Sequence, residues 1–116
     1  MLRFYFAPAP NPMKVALFLE EAGLPYELIR IDTRRGEQHT AEFKALNPNA
    51  KTPVIVDGET VVFDSNAILL YLAEKTGKFL PADPAKRGEL LSWLMLVATG
   101  LGPYNGQAVH FQHFAD

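Results

Sequence analysis

The sequence contains no cysteine, and that absence excludes several kinds of chemistry. The 116 residues can form neither a disulfide nor a thiolate metal site. They also offer no Cys-X-X-Cys redox pair and no cysteine nucleophile. Any sulfur chemistry at this protein therefore needs a thiol from another molecule.

An excess of positive charge is also missing, because 11 Lys and Arg stand against 13 Asp and Glu, a net charge of −2. Adjacent basic residues occur only in the pairs Arg34-Arg35 and Lys86-Arg87, so we expect no nucleic-acid partner. The amino terminus lacks the basic segment and long apolar run of a secretory signal, which favours a cytoplasmic protein. With 48% apolar and 21% charged residues, the chain has the composition of a folded domain.

Charge is absent altogether between Leu90 and Ala115. Apolar residues recur there with helical spacing from Leu90 to Leu101, and they form a stripe wider than one contact face needs. Glycines, a proline and histidines interrupt the stretch, so we expect no membrane span. The pattern predicts a helix covered by protein, through a homodimer, a further helical domain, or both.

The first 80 residues predict a βαβ-α-ββα order with a four-stranded mixed sheet, which is the thioredoxin-like layout. The first two strands are expected to be parallel, because a helix connects them. The predicted elements are a strand at Leu2–Phe6, a helix capped by Asn11 and ended by Gly23, a strand at Tyr26–Ile31, a short helix at Thr40–Leu46, a hairpin of Pro53–Val56 and Thr60–Phe63, and a helix opened by Asp64-Ser65 and ended by Gly77. Residues 81–84 are expected to be a linker, and the residues that follow are expected to be helical.

Two ordered motifs give this chain a family resemblance. Residues 47–54 (NPNAKTPV), followed by residues 64–72 (DSNAILLYL), resemble the glutathione transferases. Residues 5–8 with Asn11, and residues 100–103 (GLGP), resemble the bacterial nu-class branch, which is related to the yeast nitrogen-regulation prion protein. The likeness runs from Phe4 to about Phe114. It implies a glutathione-binding domain at residues 1–80, joined to an all-helical domain that supplies the second-substrate pocket. Residues 85–116 would be the truncated beginning of that second domain, and about half of the expected protein lies outside this chain.

The resemblance implies that glutathione lies along Lys51-Thr52-Pro53-Val54 as on a strand edge, with Pro53 in the cis form and the Thr52 backbone paired with the cysteinyl part. From the residues alone, Pro53 would be a trans, strand-initiating proline. Lys51 is a candidate for the glycyl carboxylate, and a solvated lysine is the alternative. Gln38 matches a position that meets glutathione in related proteins, and its alternative is an ordinary surface residue.

Asp64 and Ser65 form a candidate pocket for the amino-acid head of glutathione. Free N–H groups and the positive end of the helix dipole favour a carboxylate there, and the serine hydroxyl adds a donor. The Asp64 carboxylate can hold the ammonium. The alternative is that both residues only cap the helix, which stabilises it by about 1 kcal/mol.

Asn11 is the candidate catalytic residue. In the branch that this chain resembles, a threonine in the first loop and an asparagine two residues later approach the glutathione sulfur, and here Ala9 and Asn11 take those positions. Lowering a thiol pKa from about 8.5 to about 6.5 raises its ionised fraction at pH 7 from about 3% to roughly 75%. The Asn11 amide can assist this as a donor. A helix cap alone is the alternative, and Tyr5 is expected inside its strand.

These features predict an enzyme whose bound glutathione thiolate attacks a disulfide or an electrophile. The missing cysteines and the nu-class resemblance favour disulfide reduction. A non-catalytic glutathione-binding or dimerisation module is the alternative, because the threonine hydroxyl is absent at Ala9. His110 and His113 lack a third ligand, so we expect no metal.

Overall fold

The computed structural model describes residues 1–110 and 112. The chain divides into two compact units, Met1–Lys78 and a second that begins at Phe79. We describe each unit by itself.

The first unit has the βαβ-α-ββα order that the sequence predicts. Its strand order is β2-β1-β3-β4, with β1 and β2 parallel and the other two pairs antiparallel, so the expected mixed sheet is confirmed. Two single 3-10 turns, Thr33–Arg35 and Glu37–His39, follow β2. The strands and helices are β1 (Leu2–Phe6), α1 (Pro10–Ala22), β2 (Tyr26–Arg30), α2 (Ala41–Leu46), β3 (Val54–Asp57), β4 (Thr60–Phe63) and α3 (Ser65–Thr76).

The core of this unit lies between the sheet and the helix pair α1 and α3, which pack against each other. Side chains four residues apart share a helix face, and side chains two residues apart share a sheet face. Burying each large apolar side chain contributes about 1.5–3 kcal/mol. The buried cluster consists of Leu2, Phe4, Val15, Leu19, Ile55, Ile68 and Leu72.

The start of α1 differs from the prediction. The helix begins at Pro10, and its N-cap is Ala9, in an extended conformation with φ −156° and no side-chain cap bond. Asn11 is therefore a residue of the first turn, and its prediction as the N-cap is wrong. The physical reason is that Pro10 already has the φ that the first helical position requires.

The second unit is helical. Helix α4 (Pro84–Leu96) begins at the N-cap Asp83, whose carboxylate accepts the Ala85 N–H at 3.0 Å. A π-helical segment (Val97–Leu101) and α5 (Gly102–Val109) follow, with helical backbone angles at each junction. The helical backbone thus continues through the glycines and the proline of this stretch.

A proline explains the widened turn. Pro103 has no N–H, and its ring would clash with the carbonyl four residues earlier in an α-helix. The π-helical segment ends directly before α5, which carries this proline in its first turn, and thereby accommodates the ring. Several apolar side chains of this unit are exposed, with Trp93 at 62% and Tyr104 at 70%. Within the part of the chain that the structure describes, no helix has the length and apolar character that a bilayer span requires.

Candidate functional site

Strand register brings the candidate residues of the first unit to one end of its sheet. Val54, at the start of β3, pairs with Tyr5 near the end of β1 and with Phe63 at the end of β4. The segments that continue from these positions therefore lie at the same end of the sheet. They are the β1–α1 loop with the start of α1, the loop before β3, and the start of α3, which carry Asn11, Lys51, Thr52, Pro53, Asp64 and Ser65.

The loop before β3 contains a cis peptide bond between Thr52 and Pro53, as the resemblance implies. Pro53 is buried, Thr52 is half-buried and Lys51 is exposed. The strand itself is an inner one, since β3 pairs with β1 and β4, so the expected strand edge is not an edge of the sheet. The backbone of Thr52 lies ahead of the strand and takes no part in this pairing. Among residues 1–110 and 112, none makes a backbone hydrogen bond with Thr52.

A buried asparagine holds this loop in shape. Asn47 is only 3% exposed, and its Nδ2 donates to the Lys51 carbonyl at 2.9 Å. Its Oδ1 accepts the Asn49 N–H at 2.9 Å. The sequence reasoning used Asn47 as part of a motif and gave it no role, although an asparagine before proline is a common local signal for such a side-chain-to-backbone turn.

Asp64 caps α3 and keeps one carboxylate oxygen available. Its Oδ2 accepts the N–H groups of Asn66 at 3.1 Å and Ala67 at 3.0 Å. In the described part of the chain, no hydrogen bond or ion pair uses Oδ1. The side chain is exposed, and φ is 75°, a conformation that costs a non-glycine residue about 1–3 kcal/mol. Capping and ligand binding are thus compatible at this residue.

Ser65 is the first residue of α3 and is buried, with 4% exposure. No hydrogen bond among the described residues involves its hydroxyl. Its position keeps it at the positive end of the helix dipole, beside the Asp64 carboxylate. The Asn66, Ala67 and Ile68 N–H groups already donate to Asp64. The two residues therefore combine one anionic group with the N–H and hydroxyl donors of Ser65.

The start of α1 presents few backbone donors. Pro10 and Pro12 have no N–H, and the Met13 N–H bonds to the Ala9 carbonyl at 3.1 Å. Asn11 therefore supplies the first-turn backbone N–H that has no intrahelical acceptor, together with its exposed amide side chain. Ala9 contributes no hydroxyl, as the sequence indicates. A small anion near this turn would accept hydrogen bonds from Asn11.

Gln38 lies in the second 3-10 turn after β2, whose last residue Arg30 pairs with Phe6. It is half-buried, and its Oε1 is enclosed without a hydrogen-bond partner in the described structure. The loop ahead of it is braced by Asp32, whose N–H donates to Glu37 Oε1 at 2.6 Å. This hydrogen bond is not among the predictions from the sequence, and two acidic residues five positions apart are the only sequence feature that points to it.

A cluster of hydrogen-bonded polar and charged side chains lies at the other end of β3, at Asp57. Asp57 Oδ2 accepts from Lys75 Nζ at 2.5 Å and from the Tyr71 hydroxyl at 2.6 Å. The Lys75 bond, and then the Tyr71 bond, lower the pKa of Asp57, and the same bonds raise the pKa values of Tyr71 and Lys75. The cluster ties α3 to the hairpin and has no part in the candidate site.

A metal site needs several histidine or carboxylate side chains close together. Over the residues that the structure describes, no group of three or more such side chains could hold a metal ion. His113 lies outside the described residues, so its spacing from His110 has no structural counterpart here.

The first unit has a counterpart among known protein families. Residues 9–75 match the family described as glutathione S-transferase, N-terminal domain, and the chain belongs to that family. The resemblance on which the motifs were interpreted is thereby confirmed.

The similar proteins include a bacterial disulfide-bond oxidoreductase and a yeast protein. The chain is 50% identical to the disulfide-bond oxidoreductase YfcG of Escherichia coli (strain K12), over 99% of this chain and 57% of that protein. It is 37% identical to the protein URE2 of Debaryomyces hansenii, over 96% of this chain and 39% of that protein. The chain thus spans about half the length, or less, of these curated relatives.

A solved structure gives the same fold. The glutathione transferase of Pseudomonas putida, crystallised with one glutathione disulfide bound per subunit, superposes with a TM-score of 0.95 at 42% identity. The match covers 98% of this chain and 52% of that one. The thioredoxin-like fold class of the first unit is confirmed.

Proposed function

We propose that the chain binds glutathione at the end of the sheet described above and uses its thiolate to reduce a disulfide. The observation that carries this proposal is the strand register, in which Val54 faces both Tyr5 and Phe63. That register gives an extended tripeptide a backbone partner at Thr52 and, at the two flanking helix starts, groups for its head and its thiol.

Each part of the ligand has a chemically suited group. The α-ammonium of the glutamyl head pairs with Asp64, whose Oδ1 is available. The head carboxylate accepts from the N–H and hydroxyl of Ser65 at the positive end of the α3 dipole. The cysteinyl backbone pairs with Thr52. Lys51 serves the glycyl carboxylate, and Gln38, with its unpartnered oxygen, serves as an additional polar contact. The sulfur lies near Asn11.

The reaction requires two glutathione molecules, because the chain has no cysteine. The first thiolate attacks one sulfur of the substrate disulfide, forms a mixed disulfide and releases the second sulfur as a thiolate, which takes up a proton. A second glutathione thiolate then attacks the glutathione sulfur of the mixed disulfide. Glutathione disulfide forms, and the remaining substrate sulfur leaves as a thiol. Glutathione is the reductant throughout.

The names of two relatives support this choice of reaction. YfcG is a disulfide-bond oxidoreductase, and the Pseudomonas putida transferase was crystallised with glutathione disulfide. Attack on an electrophilic small molecule is the other reaction that the same thiolate allows. The exposed apolar side chains and the absence of charge between Leu90 and Ala115 favour a homodimer, and the absent cysteines fit a cytoplasmic protein.

Calorimetric titration of the 116-residue chain with glutathione tests the binding step. We expect weak but measurable binding, since the groups named above belong to the first unit. Turnover of a glutathione mixed disulfide, compared with conjugation of an aryl halide, tests the reaction. Faster aryl conjugation would reverse the order of the two reactions, and absence of any heat of binding would refute the proposal.

A non-catalytic glutathione-binding module is the second candidate, favoured by Ala9, which provides no side-chain cap bond at the start of α1. Asn11→Ala separates the two, with Asn105→Ala on the exposed surface of α5 as the matched control. If Asn11 stabilises the thiolate, its loss raises the pKa of bound glutathione by about one unit, the effect of one hydrogen bond to a charged group. An unchanged thiol pKa would favour the binding module.

A further inference from the structure

We propose that Asn47 is a positioning residue for glutathione, and that it acts by fixing the orientation of the Thr52 N–H. This inference rests on the proposed function, in which the Thr52 backbone pairs with the ligand. Asn47 itself is not placed to touch a ligand, since it is buried with 3% exposure.

The hydrogen bonds of Asn47 join α2 to the whole loop before β3. Its own N–H bonds to the Phe43 carbonyl at 2.9 Å, and it therefore closes the last turn of α2. Its carbonyl accepts the Ala50 N–H at 2.9 Å, and its Oδ1 accepts the Asn49 N–H. Its Nδ2 then reaches the Lys51 carbonyl at 2.9 Å. All the polar atoms of this buried side chain have partners, as a buried amide requires.

The bond to Lys51 is the one that matters for binding. The Lys51 carbonyl and the Thr52 N–H belong to the same peptide unit, which is planar. This unit is trans, because Thr52–Pro53 is the only cis bond in the described chain, and in a trans unit the carbonyl and the N–H point in opposite directions. When Asn47 holds the Lys51 oxygen toward its buried side chain, the Thr52 N–H points away from Asn47.

The Thr52 N–H has no acceptor among the residues that the structure describes. A donor that is both held in direction and unpaired is prepared for an acceptor on a ligand. The cysteinyl carbonyl of glutathione is the acceptor that the proposed binding mode offers. Loss of the Asn47 amide would leave the same donor in place but release its orientation.

The test compares glutathione affinity with stability in matched variants of the 116-residue chain. Asn47→Ala removes the brace, whereas Thr40→Ala removes the N-cap of the same helix, where Thr40 Oγ1 accepts the Phe43 N–H at 3.2 Å. Both variants lower the unfolding midpoint. We expect the Kd for glutathione to rise about tenfold in Asn47→Ala, the effect of one hydrogen bond, and to change less than about twofold in Thr40→Ala.

Asn47→Asp is the second variant, and it keeps an acceptor for the Asn49 N–H. Its ionised carboxylate cannot donate to Lys51, so we expect weakened binding at neutral pH. Protonation at lower pH restores an O–H donor, and the Kd relative to the parent chain is expected to recover.

The outcomes distinguish this inference from the proposed function. If the parent chain binds no glutathione, the proposed function fails. If the parent chain binds and the Asn47 variants bind equally well, only the role of Asn47 is overturned. An equal loss of affinity in Thr40→Ala and Asn47→Ala would likewise overturn it, because general destabilisation would then explain both.

Discussion

Replacing Asp64 by glycine and by alanine separates ligand binding from helix capping. Both variants lose the carboxylate that caps α3 and that, in our proposal, holds the glutathione ammonium. They differ in backbone cost, because the φ of 75° at Asp64 is freely available to glycine and unfavourable for alanine. The same loss of charge thus comes with relief of the backbone strain in the glycine variant and with retained strain in the alanine variant.

The magnitudes follow from these terms. Glycine relieves about 1–3 kcal/mol of backbone strain. Against this stand a few tenths of a kcal/mol for the cap, about 0.5 kcal/mol for the helix dipole and about 0.4–1 kcal/mol for added flexibility of the unfolded chain. The net change is a gain of about 0.5 kcal/mol. Alanine keeps the strain and loses cap and dipole, so it destabilises the first unit by about 1.5 kcal/mol.

Glutathione affinity is expected to fall about fivefold in both variants, because an exposed ion pair contributes up to about 1 kcal/mol. Stability is best followed by amide exchange in the first unit, since the single tryptophan, Trp93, lies in the second. Asp83→Gly, at an N-cap with φ −67°, is the control and should leave affinity unchanged. If Asp64→Gly binds glutathione like the parent chain, Asp64 serves only as a helix cap.

Two further substitutions test the fold. The pKa of Asp57 lies below its ordinary value of about 3.9, chiefly because of the hydrogen bond from Lys75. The ionised carboxylate therefore stabilises the fold above about pH 4, and this contribution is lost as the pH falls through the lowered pKa. Asp57→Asn should therefore be less stable at neutral pH and lose less stability on acidification in urea titrations, and an unchanged acid dependence would contradict this. Gly102→Ala places a Cβ 2.9 Å from the Val97 carbonyl, so its helix should melt at lower temperature by circular dichroism. A gain of about 1 kcal/mol, as propensity alone predicts, would argue against that close contact.

Much of the first unit follows from local patterns in the sequence. The sequence predicts β1 with its observed bounds because Leu2–Phe6 is mostly apolar and aromatic and is followed by Pro8, and α3 ends at Gly77 as expected. The cis form of Pro53 came from the family resemblance, since the residues alone favoured trans.

The remaining features depend on competition between neighbouring residues or on three-dimensional context. Asn11 and Ala9 compete as caps, and Pro10 decides between them through its fixed φ. The inner position of β3 depends on pairing with β4 and β1, which no local pattern encodes. The positive φ of Asp64 and the hydrogen bonds of Asn47 arise from how the chain enters α3 and leaves α2.

The most direct measurement is an amide NMR titration of the chain with glutathione. We expect concentration-dependent shifts that are largest for the amides of Thr52, Ser65 and Asn66. The Asn11 amide is expected to shift as well, because the glutathione sulfur lies near it in the proposed binding mode. Shifts confined to other parts of the molecule, with these four amides unmoved at saturation, would contradict the placement of a tripeptide thiol at this end of the sheet.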